Sequence, residues 1–134
     1  MKTWEPSSRT VSLITRSPVT IRTHHARYLL AEARFKVAGP FASLFGMTGI
    51  TFRKDCIVLD KEFCYASNKP RWQATVIYHE LVHVAQQKDM GMLGFKITYA
   101  WEWISAGGSY QKMKLFGLEQ EALAIALAFV KGMR

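Results

Sequence analysis

The chain has 134 residues, 49% of them hydrophobic and 13% aromatic, with a formal net charge of +8. That length fits one domain with a sizeable core, and the apolar content excludes an intrinsically disordered chain, in which low hydrophobicity accompanies high charge. Two cysteines, Cys56 and Cys64, are too few for a disulfide framework and lack CxxC spacing, so both are expected as reduced, partly buried thiols in a reducing compartment.

The opening "MKTWEPSSRT" has no apolar run behind Lys2, so no secretory signal peptide is expected. The longest apolar run, "ALAIALAFV" at 122–130, falls well short of the ~20 residues a spanning helix needs. These features predict a chain with no membrane span that stays in the cytoplasm. The positive charge favours polyanionic partners, but the basic residues are scattered and no basic run with interleaved aromatics occurs. A dedicated nucleic-acid site is therefore disfavoured.

In chain order, residues 1–20 mix Ser, Thr, Arg and Pro and are expected as an irregular or edge-strand arm. "HHARYLLAEARFKVAG" then reads as one helix stopped at Gly39-Pro40. "GITFRKDCIVLD" predicts strands near 50–53 and 56–59 on either side of a Lys54-Asp55 turn. From Pro70, which suits a first helical turn, a helix is expected to run without a breaker to Gly91. An aromatic helix, "LGFKITYAWEWIS", should end at Gly107-Gly108, and a last helix should cover about 118–131. The expected fold is α+β: one mostly helical domain, 1–134, with a small hairpin or sheet over the long helix.

That long helix carries "YHELVHVAQQ". His79 and His83 are four residues apart, which places both imidazoles one turn apart on one helix face, as ligands of a single tetrahedral zinc must be. Glu80 lies beside them, where it would reach a water activated by the metal rather than the metal itself, and so would serve as general base. The adjacent His24 and His25 cannot share a helix face and are expected at the surface or as caps.

Catalytic zinc needs a third protein ligand and one open position. No third histidine completes HExxHxxGxxH, so a carboxylate must serve. The candidates are Asp89, on the motif helix but off the histidine face, Glu102 on the next helix, and Glu119 and Glu121 in "GLEQEALAIA". Residues two apart on a helix point roughly opposite ways, so only one of that last pair can face the metal. Tyr110 in "GGSYQ", with Tyr99 behind it, is the candidate donor to the oxyanion of a tetrahedral intermediate. Gln87, four residues beyond His83, is the candidate for orienting a ligand from outside the coordination shell.

"IYHELVHVAQQ" followed by "LEQEALA" resembles the gluzincin class of metallopeptidases, in which HExxH is completed by a glutamate on a later helix. It is similar in particular to short bacterial and phage-associated zincin-like domains, and to injection-system core peptidase-like domains, over about residues 49–126. The resemblance implies zinc ligation by His79 and His83, with Glu80 as base, and phage or virion association as the alternative to the cytoplasm. It assigns the third ligand to Glu121, directly before alanine, whereas thermolysin-like spacing falls near Glu102.

The expected function is that of a zinc-dependent hydrolase, most simply a peptidase, cleaving an extended polypeptide or peptidoglycan-type peptide laid against the strand near 56–59, with specificity supplied by a larger assembly or partner protein. The competing readings are a catalytically silent zincin-fold assembly module and a basic nucleic-acid-binding domain.

Overall fold

A computed structural model of the protein describes residues 2–38, 49–53 and 55–133. The N-terminal arm is more ordered than its composition predicts. Strand β1, Lys2–Trp4, is followed by helix α1, Ser8–Thr15, which Ser7 caps by accepting the Thr10 N–H at 3.3 Å. The β-branched run "TVSLIT" lowers helix propensity, but tertiary burial overrides it. Thr10 and Ile14 are both fully buried. The Thr10 hydroxyl donates to Gln73 Oε1 at 3.3 Å, and Gln73 Nε2 in turn donates to the Phe63 carbonyl at 2.9 Å.

The single helix expected over 24–39 is corrected to a helix and a strand. Helix α2, Ala26–Glu32, closes at Ala33, and strand β2, Arg34–Ala38, follows. The reason is sheet pairing: Phe35 and Val37 sit opposite Ile57 and Leu59, and the Arg34 N–H reaches the Asp55 carbonyl at 2.7 Å. Gly39 and Pro40, expected to stop the helix, lie outside the described residues, as does Lys54 of the expected turn.

The predicted hairpin is present as β3, Gly49–Arg53, and β4, Cys56–Asp60. The sheet order is β1-β2-β4-β3, with β2 parallel to β4 and the two outer pairs antiparallel. Strand β4 therefore lies in the interior, which is why Ile57, Val58 and Leu59 are all buried. Ile57 and Leu59 join Phe35 in the main core, while Val58 and Ala38 form a small cluster on the other face. Strand β4 is paired on both sides, whereas β1 and β3 are the edge strands among the described residues.

The helices α3, Lys61–Cys64, α4, Pro70–Met90, α5, Met92–Ser105, α6, Tyr110–Met113, and α7, Gly117–Gly132, complete the α+β fold. The middle of α4 is buried nearly all round, including Tyr78, Leu81, Val82, Val84 and Ala85. Its main helical partner is α7, whose inward row is Leu118, Ala122, Ala126 and Phe129. The alanines allow close backbone approach, and farther along, the Phe129 ring stacks on Tyr78 with centroids 4.1 Å apart. Burying each of these rings contributes about 2–3 kcal/mol. Tyr78 satisfies its hydroxyl on the Val19 carbonyl at 2.5 Å, so the aromatic pair leaves no buried polar orphan. This contact fixes α7 along α4 and thereby sets where the first turn of α7 meets the HExxH motif. Cys56 and Cys64 are both free thiols, and burial pushes the Cys64 thiol up to about 11.

Candidate metal centre

Helix α4 brings the His79 and His83 rings to within 5.0 Å, centroid to centroid. His79, Glu80 and His83 could hold a metal ion, since one ligand atom from each lies within 4.8 Å of the others. Helix α7 adds a fourth group. The Glu119 carboxylate receives His79 Nε2 on Oε2 at 3.1 Å and His83 Nε2 on Oε1 at 2.8 Å. Tyr99 and Tyr110 donate their hydroxyls to the same two oxygens, at 2.9 and 3.2 Å. Burial disfavours this carboxylate's charge, but the hydrogen bonds from His79 and His83 outweigh it and hold the carboxyl well below its usual range.

The assignment of Glu121 to the histidines is corrected by this geometry. A two-residue step turns an α-helix by about 200°, and Glu121 points to the opposite flank of α7. There it accepts Arg22 Nε at 3.0 Å and Gln86 Nε2 at 2.8 Å. The inward row of α7 carries the signal that local sequence context obscured: Glu119 adjoins Leu118 and Ala122 on the side facing the histidines, and Glu121 lies on the other. Ala122 and Ala126, not Ala124, face α4.

Gln86, not Gln87, orients the site. Its Nε2 donates to the Leu118 carbonyl at 3.0 Å, which turns its oxygen toward His83 Nδ1 at 2.8 Å. His83 thus faces an acceptor at each ring nitrogen, so both nitrogens carry protons. Burial works against this imidazolium, but Glu119, Glu80 and Gln86 together push its pKa up to about 9. The Gln87 amide is buried without a hydrogen-bond partner among the described residues. The selecting factor is the position of α7, which lies on the Gln86 side of the motif helix.

Glu80 is buried, and its Oε2 has no partner among the described residues. Burial raises its pKa, against the pull of the neighbouring imidazoles. The Glu80 carbonyl accepts the Thr51 hydroxyl at 3.1 Å, which fastens β3 beside the motif helix.

Glu102 takes a different place from a metal ligand. Its Oε1 accepts the Leu118 N–H at 2.8 Å in a buried setting, satisfying one of the open donors at the start of α7. Gly117 makes this possible, with φ of +63° and no Cβ; a Cβ there would collide with the Glu102 carboxylate. Glu119 is two residues further on, so this cap helps to set the carboxylate that meets the histidines. Asp89 bonds Arg22 and His24, and His25 occupies the N-cap of α2 without a side-chain bond.

No family model, curated protein or solved structure matches this chain. The site stands on its own geometry.

Two outcomes are expected. Gly117→Ala should destabilise the protein by about 2–4 kcal/mol in urea titrations, through positive-φ strain and displacement of the Glu102 cap; an unchanged midpoint would contradict that constraint. The second concerns pH. His83 titrates at about 9 when folded against 6.5 as the reference value, so the stability it contributes is complete below pH 6.5 and is lost as pH rises through 9. Chelator-treated protein should therefore unfold at lower urea as pH is raised across that window, and Glu119→Gln should flatten the decline. A flat or rising wild-type profile would contradict the doubly hydrogen-bonded imidazolium.

Proposed function

We propose that the protein is a zinc-dependent hydrolase acting on peptide bonds. The observation that carries this reading is the convergence of the buried Glu119 carboxylate on the Nε2 atoms of both HExxH histidines, beside a Glu80 oxygen without a partner among the described residues. Two imidazole nitrogens and one carboxylate oxygen are a catalytic zinc donor set with one position left open. His79, His83 and Glu119 would hold the ion in exchange for the protons now shared between them. Zinc, when bound, supplies a Lewis acid that polarises a carbonyl and lowers the pKa of water to about 7.

The remaining roles belong to the chain. Gln86 keeps a proton on His83 Nδ1, which leaves Nε2 free as the ligand atom. Glu80 takes a proton from the attacking water at Oε2 and delivers it to the leaving amine, and its raised pKa strengthens it as a base. Tyr110 keeps its proton because burial, with Glu119 and Glu80 nearby, raises its pKa, and turning this O–H away from Glu119 Oε2 would present it to the oxyanion. The edge that β3 forms among the described residues, fastened to Glu80 through Thr51, would offer main-chain groups to an extended peptide. This is chemistry for an unfolded or extended segment rather than a compact surface.

A silent structural module is the poorer reading, because a purely structural zinc site closes with a fourth ligand and has no use for Glu80. Glu80→Gln separates the two. It should retain metal at wild-type stoichiometry while losing hydrolysis of an unstructured protein substrate by about 100-fold or more. A fully active variant would remove Glu80 from its role, and a metal-loaded wild type inert toward unstructured polypeptides would favour the silent module.

A further inference from the structure

Helix α5 is amphipathic with its sides reversed. Its inward face carries polar groups: Tyr99 on Glu119 and Glu102 on the Leu118 N–H, beside buried Phe95. Its outward face carries Leu93, Ile97, Trp101 and Ile104, which are 72, 61, 68 and 68% exposed. Spacings of four, four and three residues place these side chains in one narrow stripe. Isolated exposed apolar residues are ordinary, but a row of four large ones marks an interaction surface.

The exposed charged side chains of α5 and α6 are lysines. Lys96 on α5 and Lys112 on α6, which packs against α5, are exposed, and Lys114 is half-buried. The carboxylates of residues 91–133 are all engaged elsewhere: Glu102 caps α7, Glu119 holds the histidines, and Glu121 pairs with Arg22. A second copy of the chain would bring lysines against lysines, whereas an anionic lipid surface would complement them. Among the described residues no helix is long and apolar enough to cross a membrane, so such a contact lies in the interfacial plane, where tryptophan is favoured.

We propose that the outward face of α5 docks the protein on an anionic lipid surface, with Leu93, Ile97, Trp101 and Ile104 entering the headgroup boundary and Lys96, Lys112 and Lys114 meeting the lipid charges. The apolar stripe lies on the face of α5 opposite Tyr99 and Glu102, and its test reads lipid binding rather than hydrolysis.

The experiment is co-sedimentation of the full chain with vesicles of phosphatidylcholine alone or mixed with phosphatidylglycerol. Binding to the mixed vesicles should exceed binding to the neutral ones by about tenfold or more and should weaken with added salt. The double variant Ile97→Glu/Trp101→Glu should reduce it by at least about tenfold with an unchanged unfolding midpoint. Should that variant fail to fold, Leu93→Gln/Trp101→Gln should still lower binding severalfold. Absence of vesicle binding by the wild type would overturn the proposal, as would equal binding by a folded variant, which would assign the affinity to overall charge. Light scattering that shows a dimer abolished by the same substitutions would overturn it in favour of a second copy.

Discussion

One buried carboxylate sets the terms for the rest of this molecule. Glu119 sits where an unpaired charge would cost several kcal/mol, and it persists because two imidazoles and two tyrosine hydroxyls converge on it. These donors come from three helices, so the carboxylate can be satisfied only when α4, α5 and α6 have all assembled against α7. The packing beneath it serves the same end. Ala122 and Ala126 let α7 approach α4, and the Tyr78–Phe129 stack locks their relative position farther along.

The same constraint explains why so many polar side chains near the site are committed to the protein's own groups. Gln86 connects His83, Leu118 and Glu121 in one network, and Glu121 continues it to Arg22 and Asp89 at the surface. Glu80 Oε2, like the Gln87 amide, departs from this pattern, since it is buried without a partner among the described residues. A buried acceptor left open carries a desolvation cost of about 1–3 kcal/mol. Such a cost is reasonable where a reacting group must later be bound, and the proposed hydrolase uses that oxygen.

The parts of the fold legible in the sequence are those set by local rules. Pro70 and Gly91 bracket α4, the four-residue spacing of His79 and His83 fixes their common face, and the β3–β4 hairpin follows from two β-branched runs around a turn. The elements missed depend on distant partners. Strand β2 looks like the end of a helix until β1 and β4 pair with it, and α1 falls within what looks like an irregular or edge-strand arm until Thr10 and Ile14 are buried. The choice between Glu119 and Glu121 is of the same kind. The glutamate-alanine context favours Glu121, but orientation is decided by the face that α7 turns toward α4. Gln86 and Gln87 are likewise neighbours in sequence, and only the position of α7 separates them.

Zinc affinity measured by chelator competition on Glu119→Ala and Glu121→Ala tests the central claim most directly. Glu119→Ala should lower affinity by about 100-fold or more, whereas Glu121→Ala, which touches the site only through Gln86, should lower it by no more than about tenfold. Loss of zinc from Glu121→Ala with retention by Glu119→Ala would contradict the account.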